Sequence, residues 1–451
     1  MLSAACAALS SAALGAGEAD RLGRDLTPVG AERAGNKDGS IPEWAGATNA
    51  PAPGWAHGKV RGDFWSHKGE KPIFSINASN ADKYAERLSP GQLALLKTLP
   101  DYRMDVFPSK RECSYPDFVL NNTKTNVGKA KIAADGWSLA EAALPGVPFP
   151  APSSGIEVVW NFLMRYQGAG VRWPDGRSFV SPRPGSKDGI LYAWDQTLHL
   201  PWGRKGTTSP TQNGGLQSGF YYAFRLPASL EGQVLAQRFY FAKDSEAFYY
   251  FPGQRRVRRL PSYAYDAPVL GFENQFPSDA IFMFFGNPDR FDWKIVGKKE
   301  MYVQYNAFEL MNFKRSTDAL GPLYISNEVR RYELHRVWVV EGTVKGNVRH
   351  TTPKKTLYFD EDTWLALAAE DYDAQGKLWR AKEAAVVPAW EIGACSSSML
   401  YAHYDLASKR YTSDAILFGA DQDMQWFSES NDRRLKDDFY TPENLRAVSE
   451  R

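Results

Sequence analysis

From about residue 190 onward, apolar and aromatic residues recur with a period of two. Gln237–Phe241, Ala247–Phe251, Met301–Tyr305 and Arg336–Val340 read as strands, and Lys355–Phe359, Trp364–Leu367 and Lys377–Arg380 continue the series. Between them, Asp360-Glu361-Asp362 and Asp373-Ala374-Gln375-Gly376 have the chemistry of solvated turns. Consecutive strands with short connections predict an antiparallel meander. No repeat at a propeller or solenoid period is present.

The earlier part of the chain is organised differently. Residues 25–75 are punctuated by Asn36-Lys37-Asp38-Gly39, Pro42 and Pro51-Ala52-Pro53-Gly54, which mark turns. An extended arm pinned by Trp44, Trp55 and Trp65 is expected there. Short helices follow. Ser89-Pro90-Gly91-Gln92 is a capping box that leads into Leu93, Leu96 and Leu99, and Asn80 is placed to cap a segment carrying Tyr84 and Leu88. Ser138-Leu139-Ala140-Glu141 repeats the capping pattern. Ser154-Gly155-Ile156-Glu157 does too, and it opens an amphipathic stretch with Ile156, Trp160 and Leu163 on one side.

Composition strengthens the β reading. The chain is 43% hydrophobic and 14% aromatic, with 14 Trp, and such side chains suit half-buried pleated surfaces. Its 54 basic and 52 acidic residues leave a net charge of +2, which gives no nucleic-acid footprint. Residues 1–17 are uncharged and end in small side chains, as in a secretory signal. No later segment is long and apolar enough to span a membrane. An exported, periplasmic protein is therefore expected, with possible outer-membrane association. Cys6 falls within the signal, or is a lipidation site after Ser3-Ala4-Ala5. Cys113 and Cys395 remain, and an oxidising compartment makes a disulfide between them the expectation, worth about 2–4 kcal/mol; the alternative is two buried thiols.

Candidate chemistry is sparse. There is no nucleophile elbow, zinc-protease helix, phosphate loop or dinucleotide fingerprint. The histidines His57, His67, His199, His335, His350 and His403 are scattered, with no pair at metal-ligand spacing, and each reads as structural. Asp371-Tyr372-Asp373-Ala374-Gln375-Gly376 starts like a calcium loop, but Lys382 stands where the bidentate Glu belongs, so a hairpin turn is the better reading. Neither catalytic activity nor a metal or cofactor is expected. Arg255, Arg256, Arg258 and Arg259 follow the aromatic strand ending at Phe251. They suit anionic head groups or an acidic partner, and equally an edge strand protected by charge. The aromatic strands themselves fit either a packed core or an apolar concavity.

Several stretches resemble the DUF1329 family. They are Leu26-Thr27-Pro28-Val29-Gly30 through Pro42, Leu88-Ser89-Pro90-Gly91-Gln92, Pro145-Gly146-Val147-Pro148-Phe149-Pro150, Asp289-Arg290-Phe291-Asp292-Trp293-Lys294, Arg331–Glu341 and Tyr358–Trp364. That family is similar to the lipoprotein-sorting proteins LolA and LolB, whose central hairpin Phe251–Arg259 resembles. The resemblance implies a mainly β, α+β fold: a strongly curved antiparallel half-barrel over residues 151–451 with helices covering its concave face. The arm and helical segment of residues 18–150 would pack on it. It further implies a cavity for lipids or other hydrophobic molecules, and partners such as an RND-type transporter and an outer-membrane β-barrel protein. One alternation phase plus the lid helix gives Trp160, Leu163, Phe239, Phe241, Tyr249, Trp338, Val340 and Tyr358 as the expected lining. A structural adaptor with a filled core is the alternative, and an envelope hydrolase the remote one.

Overall fold

The computed structural model describes residues 20–47, 50–260, 265–394 and 400–449. The expected signal at residues 1–17, including Cys6, and Cys395 of the expected disulfide lie outside them. Eighteen strands form among the described residues. The short ones come first: β1 (Phe74–Ile76), β2 (Met104–Val106), β3 (Lys131–Ile132) and β4 (Leu139–Glu141). A first meander comprises β5 (Gly170–Val180), β6 (Ile190–His199), β7 (Leu216–Leu226), β8 (Val234–Tyr240), β9 (Glu246–Phe251) and β10 (Arg256–Arg259). A second comprises β11 (Phe291–Gln304), β12 (Tyr332–Val344), β13 (Lys354–Asp360), β14 (Ala366–Tyr372), β15 (Leu378–Ala384), β16 (Tyr401–Asp405) and β17 (Arg410–Ile416), with β18 (Gln425–Phe427) after it.

Pairing of β17 with β5 joins the two meanders into one 16-stranded sheet, ordered β1-β2-β12-β13-β14-β15-β16-β17-β5-β6-β7-β8-β9-β10, with β11 on β12 and β18 on β5. The sheet is open, because it runs from β1 to β10 without closing. It is mixed rather than purely antiparallel: β2, arriving from the helical segment, pairs parallel with β12 at Val106 and Tyr332.

Alternation sorts the side chains between cores. On β8 and β9, Leu235, Phe239 and Tyr249 enter the main core, whereas Val234, Ala236, Phe248 and Tyr250 meet Leu445 on the opposite face. On β12 and β13, Val340, Leu357 and Phe359 enter the main core, whereas Val337 and Tyr358 join Met301, Val303, Tyr305 and Val386 in a second one. A bridge between Gln304 and Ala385 brings the end of β11 to the end of β15 beside that second core.

Helices α1 (Pro90–Thr98), α2 (Asp117–Asn126), α3 (Gly155–Leu163) and α4 (Pro442–Ser449) flank the sheet. The boxes at Ser89 and Ser154 cap α1 and α3 as expected. Ser138 does not cap a helix. Its amide and hydroxyl donate to Asp135, closing a turn, and Leu139–Glu141 becomes β4 paired with β3. Asn80 precedes a 3-10 helix, Ala81–Arg87, but its side chain accepts from the Asn77 amide at 2.8 Å instead of capping.

The apolar face of the sheet is covered by the chain itself. Phe272, Phe276, Ile281, Phe282, Met283 and Phe284 are buried against it. Phe282 stacks on Trp173 at 6.0 Å, and Phe276 meets His403 at 4.8 Å edge-on. Phe282 and Met283 take φ of 51° and 76°, left-handed values costly for bulky side chains, so the surrounding contacts must impose them. Asp279 anchors this filling segment. Its Oδ2 accepts from Lys355 Nζ at 2.8 Å and lies 3.0 Å from His350 Nε2.

Burial alone would raise the Asp279 carboxyl, but the Lys355 ammonium and His350 hold it well below the usual range. Stability from this pair is therefore complete above the ordinary carboxylate pKa and is lost as pH falls below it. Urea unfolding of Asp279→Asn should cost roughly 3–5 kcal/mol at neutral pH and show a flatter decline on acidification than the unsubstituted chain. Gly155→Ala should cost roughly 1–3 kcal/mol, because a Cβ there would sit 2.5 Å from the Trp293 carbonyl carbon; an unchanged midpoint would contradict this packing of α3 on β11.

Candidate functional site

The expected lining residues are not gathered around one cavity. Trp160 of α3 stacks on Phe241 at 5.9 Å and donates its indole N–H to the Trp137 carbonyl. Phe239 meets Phe285 at 4.5 Å. Tyr249 borders a space of about 20 Å³ with Phe220, Phe224, Leu235 and Phe272, and Leu163 borders one of about 30 Å³ with Trp202 and Phe285. Each is about the size of one water. Val340 is core, and half-buried Trp338 stacks on Trp364 at 6.3 Å with Lys298 Nζ 4.4 Å from its ring. Tyr358 lies on the other face, because it is opposite Val339 in the register, and it donates to Glu370 Oε2 at 2.9 Å. A one-residue phase difference reverses every side chain. The filling segment leaves no mark in the alternation, since its run Ile281–Phe285 has no strand period.

A larger space lies under the arm. A cleft of about 350 Å³ is walled by Pro51, Pro53, Phe64, Trp65, Pro388 and Trp390, with Lys110, Glu112 and Tyr305 at its polar parts. Its aromatic walls are braced. Trp65 and Trp390 pack on Phe308 at 4.9 and 5.8 Å, and Trp55 meets Trp390 edge-on at 5.1 Å. Beneath them the guanidinium of buried Arg61 sits 4.7 Å from Trp55 and 4.8 Å from Trp426. It donates to Glu391 at 2.9 and 2.5 Å and to Asp423 at 3.3 Å. Burial pushes the Asp423 carboxyl up to about 6 against the pull of Arg61, whereas Glu391, held by His57 and Arg61, stays low despite burial. The lone Trp residues are the sequence clue to this region, where Trp65 acts as a wall of the cleft as well as a pin.

Asp360, Glu361 and Asp362 are a correction to the solvated-turn reading: all three are buried. Distant elements supply the counter-charges, which local sequence cannot show. Arg111 binds Asp362 through two 2.8 Å bonds, and Lys298 reaches Glu361 at 2.9 Å. Burial pushes Asp360 up to about 7, opposed by His335. His335, Asp360 and Asp362 can each bring a ligand atom within 4.8 Å of the others, a grouping that histidine spacing along the chain does not reveal. Asp373–Gly376, by contrast, is a hairpin turn as expected, with residues 374–376 exposed. Arg255, Arg256, Arg258 and Arg259 are exposed at the free edge of the sheet on and beside β10. Half-buried Cys113 lies at the cleft.

Residues 75–446 match the family described as "Protein of unknown function (DUF1329)". An uncharacterized protein of Pseudomonas aeruginosa is 38% identical over 382 residues, 83% of this chain and 82% of that protein. Among solved structures, a domain of Vibrio parahaemolyticus provisionally assigned to outer membrane lipoprotein sorting aligns at 12% identity over 65% of this chain and 98% of its own, with a TM-score of 0.45. A LolA superfamily protein of Nitrosomonas europaea aligns at 13% identity over 64% of this chain and 98% of its own, with a TM-score of 0.38. By the extent of the family match and the identity to the Pseudomonas relative, the chain belongs to the DUF1329 family.

Proposed function

We propose that this chain is a periplasmic binding protein for a lipid or other hydrophobic molecule, received from or handed to an export system, and not an enzyme. The cleft under the arm carries the reading. Its volume of about 350 Å³ falls in the range of roughly 300–1,000 Å³ usual for small-molecule sites, and its walls are aromatic rings and prolines with a few polar groups. Rings and prolines are already rigid, so little side-chain freedom is lost when an apolar ligand settles on them. The sheet face that alternation offered as a cavity is filled, which argues for binding beneath the arm.

That filled interior also favours a second reading, an adaptor that contacts envelope proteins without any ligand. One titration separates the two. Fluorescent fatty-acid analogue added to purified protein should bind saturably, and Trp390→Ala and Trp65→Ala should each weaken it about tenfold, equivalent to about 1.4 kcal/mol. Tyr249→Phe should bind as the unsubstituted chain does. Loss of binding in Tyr249→Phe alone would move the site to the interior, and absence of binding altogether would leave the adaptor.

A further inference from the structure

His335 of β12 and Asp360 at the end of β13 face one another across a gap that neither fills. His335 Nε2 is 3.3 Å from Glu333 Oε2. That oxygen already accepts the Lys110 amide at 2.7 Å, so it acts as acceptor and Nε2 carries the proton, which leaves a lone pair on Nδ1. Asp360 Oδ2 is saturated: it accepts from the Thr363 amide at 3.0 Å, the Thr363 hydroxyl at 2.6 Å and the Tyr305 hydroxyl at 3.2 Å. Its Oδ1 and His335 Nδ1 have no hydrogen-bond partner. Both residues are at most 1% exposed, and the two atoms are 3.9 Å apart. Two acceptors facing each other in a dry interior are unfavourable unless a positive species stands between them.

No side-chain cation does so among the described residues. Arg111 is committed to Asp362, Lys298 and Arg336 to Glu361, and Arg331 to Glu333 and Glu70. Asp360 alone of this acidic turn has no Lys or Arg ion pair.

We propose that His335, Asp360 and Asp362 form a binding site for a divalent transition-metal ion of the zinc type. One imidazole nitrogen with carboxylate oxygens is a donor set for such ions, at bonds of about 2.0–2.2 Å. Two such bonds span the 3.9 Å gap at a wide angle. Glu333 behind His335 is the outer carboxylate that commonly orients a ligating imidazole. Asp362, whose oxygens hold Arg111, contributes a remaining lone pair. Calcium and magnesium, which require about six or more oxygens, are poorly served. The ion would tie β12 to the turn after β13 beneath the arm. Tyr305, stacked on His335 at 3.7 Å, also lines the cleft, so metal binding would steady the cleft floor.

The experiment uses the full chain, stripped with EDTA, incubated with zinc chloride and passed through gel filtration. Elemental analysis should find one zinc per chain, with a higher Tm than the stripped protein. His335→Ala and Asp360→Asn should each weaken retention at least about tenfold. Calcium chloride in place of zinc should give no retention. Zinc K-edge absorption on the unsubstituted protein should show nitrogen and oxygen ligands; it reads the site even where a variant does not fold. No zinc retained, undiminished retention in folded His335→Ala, or a sulfur ligand would each overturn the proposal.

Discussion

A wide open sheet has an apolar face that must be covered, and most of the remaining architecture answers that demand. With strands from both meanders contributing Phe, Tyr and Trp to one side, no single helix is broad enough to cover it. The chain instead turns its segment between the two meanders back over the strands and lays Phe272, Phe276, Phe282 and Phe285 on them. The cost is visible in the left-handed backbone at Phe282 and Met283. Asp279, buried with Lys355 and His350, fixes the segment at one point where aromatic contacts alone would allow sliding. Hydrophobic area supplies the drive, and the ion pair supplies the register.

The other recurring device is the buried arginine. Arg61 and Arg111 are each withdrawn from water and each paired, one between indole rings and two carboxylates, the other between a carboxylate and main-chain carbonyls. A planar guanidinium can satisfy several acceptors at once while stacking on a ring, which lysine cannot do. Both arginines fasten the N-terminal segment, and through it the cleft, to the sheet.

Much of this was legible in the sequence where the information is local. The period of two located β8, β9 and β12–β15, and the capping boxes located α1 and α3, because strand alternation and cap hydrogen bonds are set by residues a few positions apart. The face of each strand was less legible. Tyr358 lies on the side opposite to Val340, because cross-strand register, not its own neighbours, decides its face. The acidic turn at Asp360–Asp362 resembles a solvated one for the same reason: its counter-charges come from residues 111, 298 and 336. The filling segment has no period, since its rings follow the shape of the surface below them. The cleft was half legible, as lone tryptophans in a proline-rich arm without the partners that turn them into walls.

Between Val29 and Pro42 the arm is latched through its backbone carbonyls. Arg111 donates to the carbonyls of Glu32, Arg33 and Pro42, Arg336 to that of Ala34, and Trp364 to that of Val29. Carbonyls are the same whatever side chain follows, so this latch measures chain length and path rather than residue identity. The side chains of Glu32 and Arg33 can drift without loosening it, while a single insertion or deletion between positions 33 and 42 would put a carbonyl out of reach of its donor. The arm behaves as a ruler of fixed length.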